Sequence, residues 1–230
     1  MKSSSFPDPR THKFAKWAIF GSFYYPSEDI IGFGIQLTTK NLEEAYQKGI
    51  FPWHIDGLPL PWFCPAQRAI LEFRDLHIPK SLKKAWLNTK LTFTIDKDFK
   101  SVMESCARIK RPRESGTWIT KDFTRVYNEF HKTGHAHSVE VWDEQADLVG
   151  GLYGVDADGV FCGESMFFKK SNASKFALLY LINHLKSRGA TWIDIQVMTP
   201  HFEKLGAKQI KRPDFLDKLK AEQEIKLKLF

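Results

Sequence analysis

Phe161-Cys-Gly-Glu-Ser-Met-Phe-Phe168 and Trp192-Ile-Asp-Ile-Gln-Val197 flank the run Asn172-Ala-Ser-Lys-Phe-Ala-Leu-Leu-Tyr-Leu-Ile-Asn-His-Leu-Lys-Ser-Arg188. The two flanks are short and apolar, whereas the middle repeats its apolar residues at helical spacing and stops at Gly189. The spacing predicts a strand over 161–168, an amphipathic helix over 172–188 and a buried strand over 192–197. Two further strands, 137–142 and 148–155, precede this unit and are joined by a polar turn over 143–147. A hairpin followed by strand, helix, strand is the order of a mixed α/β sheet with helices on both faces.

Upstream, strands are expected over 69–73 and 91–95. Helices are expected over 81–87 (capped by Ser81), 98–106 and 120–133, the last ended by Gly134. A short helix over 201–205 follows the last strand. Nearer the N-terminus, Leu42, Ala45 and Tyr46 mark one helix face, started around residues 38–41 and stopped by Gly49. The run Phe51-Pro-Trp-His-Ile-Asp-Gly-Leu-Pro-Leu-Pro-Trp-Phe-Cys-Pro65 is too rich in proline for a helix or a central strand. It reads as an ordered aromatic loop, which divides the chain into a small N-terminal domain (1–66) and a larger domain (67–230).

Composition narrows the class. The 230 residues are 43% hydrophobic and 27% charged, which excludes a disordered or collagen-like chain. No apolar run approaches the roughly 20 residues needed to span a bilayer, so no membrane association is expected. Residues 1–10 are polar and contain Pro7 and Pro9, unlike a secretion signal. Three scattered cysteines (Cys64, Cys106 and Cys162) form no CxxC pair, and a reducing cytoplasm is the expected compartment. A net charge of +7 favours an anionic partner such as nucleic acid. The basic residues cluster at Lys80, Lys83 and Lys84, at Arg108, Lys110, Arg111 and Arg113, at Lys169, Lys170 and Lys175, and at Lys204, Lys208, Lys211 and Arg212.

Three constellations could carry chemistry. His131, His135 and His137 lie close in sequence, but no neighbouring carboxylate completes a ligand set, so no metal site is expected. No GxxxxGK[ST] or GxGxxG loop is present to cradle a nucleotide. Cys162 has no base beside it and reads as a buried thiol. The third constellation is polar residues inside apolar strands, namely Glu164 in one, Asp194 and Gln196 in the other. Period two places Cys162, Glu164 and Met166 on one face, and Phe161, Gly163 and Ser165 on the opposite one. By the same rule Asp194 and Gln196 project into one cavity while Ile193 and Ile195 pack behind. Such groups are costly to bury unless paired or used.

The blocks Gly163-Glu-Ser-Met-Phe167, Asn172-Ala-Ser-Lys175 and Ile193-Asp-Ile-Gln196 are similar to those of the leucyl/phenylalanyl-tRNA–protein transferases. So are Gly49-Ile-Phe-Pro-Trp53, Gly116-Thr-Trp-Ile-Thr120, His137-Ser-Val-Glu-Val-Trp142 and Leu148-Val-Gly-Gly-Leu-Tyr-Gly154, and the ending from His201 to Ala207 with Arg212 and Phe215-Leu216. The order is kept from about residue 30 to about residue 217. Two departures are Gly34-Ile-Gln-Leu37, where the family has a Gly-Gly-Asp-Leu-like turn, and Ile195, where it has Cys.

This resemblance implies transfer of Leu or Phe (sometimes Met) from aminoacyl-tRNA to proteins beginning with Arg or Lys, marking them for N-degron proteolysis. It also implies a GNAT-like larger domain. No cofactor is expected, because no nucleotide or metal site is visible in the sequence, and the chain is expected to act as a monomer. Asp194 and Gln196 would be catalytic, Asp194 receiving the acceptor's α-ammonium. Glu164 would contact the aminoacyl or adenosine end. Trp53, Trp118, Phe161 and Met166 would line the substrate pockets, with Ser165 and Asn172 beside them. Lys83, Lys84, Arg108, Lys110, Arg111 and Arg113 would hold tRNA phosphates. The alternatives are an acetyl-CoA-dependent N-acetyltransferase and a non-catalytic tRNA- or N-degron-binding module. Against the first, the turn Lys169-Lys-Ser-Asn172 lacks the glycines that cradle a pyrophosphate.

Overall fold

A computed structural model describes residues 5–109 and 117–230; Lys110, Arg111 and Arg113 lie outside the described residues. The chain runs β1 (Trp17–Phe20), β2 (Phe23–Pro26), β3 (Ile30–Phe33), α1 (Thr39–Gln47), β4 (Phe51–Pro52), β5 (Pro61–Phe63) and β6 (Gln67–Glu72). It continues with α2 (Lys80–Leu87), β7 (Thr92–Ile95), α3 (Phe99–Arg108), α4 (Lys121–Lys132), β8 (Ala136–Trp142), β9 (Leu148–Asp156) and β10 (Phe161–Phe168). It ends with α5 (Ala173–Ser187), β11 (Trp192–Gln196), α6 (Pro200–Lys204), β12 (Lys208–Lys211) and α7 (Arg212–Ile225).

Seven strands form one mixed sheet in the order β12-β6-β11-β10-β9-β8-β7. Only β10 and β11, joined through α5, pair in parallel, and their recorded register pair is Cys162 opposite Asp194. Every other ladder of this sheet is antiparallel. Leu178, Leu181, Ile182 and Leu185 of α5 pack on one face with Ala69, Leu71, Ile193 and Ile195 of the sheet. The opposite face packs on α3 and α4 through Val102, Met103, Val126 and Tyr127, in a cluster that also takes in Leu42, Ala45 and Tyr46 of α1. That cluster spans both sides of residue 66, although the large sheet itself begins with β6.

Local chemistry accounts for the ends of the elements. Thr38 caps α1 by accepting from the Asn41 amide, and Thr120 caps α4 by accepting from Phe123. Gly49 ends α1 at φ +72, where a Cβ would sit 2.7 Å from the Phe215 ring, so only glycine serves the turn and the packing together. Gly154 faces the bulge in β10, where a Cβ would lie 2.3 Å from the Cys162 carbonyl.

Three expectations are corrected. Residues 51–65 are not all loop: β4 and β5 flank their turn, and β5 is the central strand of a second sheet ordered β3-β5-β4. Pro61 is tolerated there because it is the strand's first residue, and its carbonyl accepts the Trp53 N–H at 3.2 Å. Ser81 does not cap α2, which starts one residue earlier after Pro79 with no side-chain cap. The strict alternation assumed for the two polar strands is broken by register shifts between Gly163 and Ser165 in β10 and between Asp194 and Gln196 in β11.

Candidate active site

Beyond the Cys162–Asp194 pair, β10 and β11 border a cavity of about 270 Å³. Its apolar wall is built by Leu152, Phe161, Met166, Leu178, Leu181 and Ile193, with Ile195 and Phe202 beside them. Glu164, Ser165, Gln196 and Thr199 supply its polar wall. Trp53 and Trp118 also line it, and their rings stack at 5.2 Å between centroids and 29° between planes. Trp118 leads into α4, and Trp53 follows β4, so elements far apart in sequence hold this pair. A cavity of this size, mostly apolar with a few converging polar groups, suits a small apolar side chain joined to a polar functional group.

Glu164 and Gln196 of this wall belong to one hydrogen-bonded unit with Tyr46 and Tyr127. The Gln196 Nε2–H donates to Glu164 Oε1 at 2.5 Å, and the Tyr46 hydroxyl donates to the same oxygen at 2.6 Å. Tyr46 also meets the Tyr127 hydroxyl at 2.6 Å. Burial, chiefly, raises the Glu164 pKa to about 7; the Tyr46 and Gln196 hydrogen bonds oppose the rise, and the Asp194 charge adds to it. A carboxyl group held near neutrality can exchange a proton at physiological pH.

Asp194 occupies the other face of β11. Its two oxygens accept from Arg68 Nε at 2.9 Å and Nη2 at 2.6 Å, and both side chains are essentially fully buried. The Arg68 guanidinium lies between the Phe51 and Phe215 rings, 4.6 and 4.5 Å from their centroids. Asp194 Oδ1 also accepts the Gln196 backbone N–H at 2.8 Å. That bond lies at the bulge where Gln196 takes φ +62, a left-handed conformation costing a non-glycine residue roughly 1 kcal/mol or more. The carboxylate therefore holds the local backbone that aims Gln196 at Glu164.

This geometry corrects two sequence readings. Asp194 and Gln196 do not project together into the cavity; Ile193 and Ile195 line it, and Asp194 faces Arg68 behind. The register shift releases Gln196 from the alternation that would have aligned it with Asp194. Among the other named residues, Trp53, Trp118, Phe161, Glu164, Ser165 and Met166 do line the cavity. Asn172 does not. It takes φ 64 at the start of α5 and borders a separate recess of about 170 Å³ with Lys175 and His201.

Lys83 and Lys84 are exposed on α2, and Arg108 is exposed at the end of α3, within 3.1 Å of Glu104. Several other basic residues are committed elsewhere. Lys208 meets Glu72 and Asp75, Lys170 meets Asp143, and Arg212 donates to the Cys64 and Glu28 carbonyls. The histidines gain a carboxylate that the sequence did not place near them: Asp96 lies 2.6 Å from His137 and 3.8 Å from His131. Both also bond backbone carbonyls, and no group able to hold a metal occurs among the described residues. Cys162 is buried, and burial pushes its thiol pKa well up.

Tyr46, Tyr127 and Arg68 escaped the sequence reading. The tyrosines look like ordinary apolar helix-face residues, and only the tertiary fold brings their hydroxyls to Glu164. Arg68 left a usable signal, as a cation at the head of the apolar strand Ala69-Ile-Leu71 while an acid sat inside another.

No helix among the described residues is long and apolar enough to cross a membrane. Residues 70–220 match the family model of leucyl/phenylalanyl-tRNA protein transferase, and residues 36–66 match that of its N-terminal domain. A leucyl/phenylalanyl-tRNA–protein transferase of Pseudoalteromonas atlantica is 44% identical over 191 residues, 83% of this chain and 81% of that protein. Its counterpart from Flavobacterium johnsoniae is 43% identical over 211 residues, 89% of this chain and 99% of that protein. A Shewanella baltica counterpart is 46% identical over 187 residues, 81% of this chain and 78% of that protein. By its motifs, its cavity and these matches, the chain belongs to the leucyl/phenylalanyl-tRNA–protein transferase family.

Proposed function

We propose that this enzyme transfers Leu or Phe from aminoacyl-tRNA to the α-amino group of proteins beginning with Arg or Lys, as a cytoplasmic monomer that marks them for N-degron proteolysis. The observation that carries the reading is the Glu164–Gln196 pair on the wall of an apolar cavity bordered by stacked tryptophans. The apolar wall receives the Leu or Phe side chain. The Trp53–Trp118 pair offers a stacking surface for the terminal adenosine, as single-stranded RNA ends commonly require. The carboxylate suits a cationic acceptor.

The reaction is aminolysis of an ester. The acceptor's ammonium gives up a proton, its nitrogen attacks the ester carbonyl carbon, and the C–O bond to the tRNA ribose breaks as the amide forms. The ribose oxygen leaves with a proton. Glu164, with a pKa of about 7, is the group at the cavity wall suited to take the first proton and return one to the leaving oxygen. Gln196, fixed through its side-chain amide to Glu164 and through its backbone to Asp194, orients the amine against the ester. Asp194 is then a positioning residue that acts through Gln196, paired with Arg68. Lys83, Lys84 and Arg108, with Lys110, Arg111 and Arg113 in the neighbouring basic run, attract the phosphate backbone.

Single-turnover transfer of labelled Leu from charged tRNA to a peptide beginning with Arg tests this. Transfer to that peptide, and not to one beginning with Asp, is expected without added metal, ATP or CoA. Labelling from acetyl-CoA instead, or tRNA binding with no transfer, would overturn it.

A further inference from the structure

The hairpin of β1 and β2 carries an aromatic face that nothing among the described residues covers. Its strands pair antiparallel, Trp17 opposite Pro26 and Ile19 opposite Tyr24, so these four residues share one side. On that side Trp17, Ile19 and Tyr24 are 58%, 62% and 63% exposed. The other side is braced in part, since Phe23 there is also 55% exposed. Phe20 packs edge-on against Phe33 of β3, with ring centroids 5.0 Å apart. At the root, Ser27 is buried and bonds the Ala15 and Lys16 carbonyls, while the Arg212 guanidinium lies 3.4 Å from the Phe14 ring centroid and donates to the Glu28 carbonyl. A two-stranded ribbon is marginal by itself, so these braces keep the outer face presented.

Its charge and position indicate the occupant. From Arg10 to Ser27 the chain contains Lys13 and Lys16, six aromatic residues, and no Asp or Glu. Both lysines are exposed. Aromatic rings interleaved with cations, with no acid among them, complement single-stranded RNA, whose bases stack while its phosphates seek positive charge. The hairpin is also linked to the cavity wall through the small sheet, by way of Phe20 and Phe33. Phe33 is paired with Pro61, whose carbonyl accepts the Trp53 N–H. At ~4.8 Å per strand, the Phe33 and Trp53 backbones stand about 10 Å apart across the small sheet.

Resting on the transferase reading above, we propose that the outer face of the β1–β2 hairpin is an accessory RNA platform. Trp17 and Tyr24 stack unpaired nucleotides of the aminoacyl-tRNA outside the cavity, and Lys13 and Lys16 hold the adjoining phosphates. The platform adds affinity for tRNA without touching the reacting atoms.

The test compares the wild type with Trp17→Ala/Tyr24→Ala, and with Trp17→Phe/Tyr24→Phe as the aromatic rescue. Filter binding of Leu-tRNA and single-turnover transfer to an Arg-peptide are measured at fixed salt. The alanine pair is expected to bind tRNA about tenfold more weakly, near 1.4 kcal/mol, with the transfer rate at saturating tRNA unchanged and binding restored by the phenylalanine pair. Ultraviolet crosslinking of Leu-tRNA to the unaltered protein should attach RNA to the peptide spanning 17–26, a readout independent of how the variants fold. Equal tRNA affinity in all three proteins, or no crosslink there, would overturn the proposal. A rise confined to the KM for the protein acceptor would overturn it in favour of a protein-docking surface. Absence of transfer by the wild type would instead sink the transferase reading itself.

Discussion

Asp194 and Arg68, 126 positions apart, meet through two hydrogen bonds in a site from which water is excluded, and the carboxylate spends a third on the Gln196 backbone. Removing one charge from such a pair strands the other, at a cost of about 3–5 kcal/mol. Asp194→Asn keeps the shape, so the lower end applies, and the melting temperature should fall by about 6–12 °C. Replacing both partners, as in Arg68→Met/Asp194→Leu, should recover most of that loss, because no buried charge is left alone. Transfer should be impaired in both variants, since neither restores the anionic anchor for Gln196. Thermal denaturation beside single-turnover transfer separates the two effects, and an Asp194→Asn protein as stable and active as the wild type would refute the argument.

Glu164 sets a pH dependence whose sign follows from its raised pKa. Folding lifts the carboxyl from its ordinary value of 4.5 to about 7, so the folded state holds the proton more tightly than the unfolded chain. This contribution to stability is fully present below pH 4.5 and is lost as the pH rises through 7, amounting to at most about 3 kcal/mol. Activity runs the other way: transfer needs the carboxylate and should climb as the pH passes about 7. Glu164→Gln should lose that limb of the rate profile. It should also reduce the difference in stability between pH 5 and pH 8 in urea titrations.

Tyr46 tunes that same group. Its hydroxyl donates to Glu164 Oε1, which favours the charged form and opposes the effect of burial. Tyr46→Phe removes this donor together with the hydroxyl contact to Tyr127, so the Glu164 pKa should rise further. The pH–rate profile should shift to higher pH, with a deficit at pH 7 that closes by about pH 9. Tyr127 approaches Glu164 Oε2 only at 3.5 Å, and Tyr127→Phe should move the profile less. Equal losses at every pH would indicate damaged packing instead of an altered titration.

The β10, α5 and β11 unit was legible because its signals are local: apolar runs of fixed period, ended by Gly189. Glu164 and Gln196 stood out as polar residues where burial is costly. The direction of Asp194 was not legible, since period two fails at the bulge after it and nothing local encodes a bulge. The hairpin did leave a trace, as Gly21-Ser22 separates two aromatic runs in the manner of a two-residue turn. Helix α7 left little, because only Phe215, Leu216 and Leu219 on it are buried and they do not repeat along its length. Residues 51–65 carry the proline content of a loop, and only the pairing of β5 with β3 and β4 reveals Pro61 as the first residue of a strand.

The basic helix α2 allows a test of how tRNA is held away from the cavity. Leu82 anchors it against Phe176 and Leu179 of α5, which leaves Lys83 and Lys84 exposed at neighbouring positions. Neither lysine has an ion-pair partner recorded among the described residues, unlike Arg108 beside Glu104. Each phosphate contact releases condensed counterions, and the slope of log affinity against log salt steepens by about 0.7–0.9 per contact. For Lys83→Ala/Lys84→Ala the slope should therefore become shallower by roughly 1.5, with tRNA binding weakened most at low salt. Surface lysines contribute little to folding, so the melting temperature should stay within about 2 °C. Because these contacts lie outside the cavity, the rate at saturating tRNA should be unchanged. An unaltered slope would mean that α2 faces solvent in the complex, and the phosphate contacts would then be sought on other basic clusters.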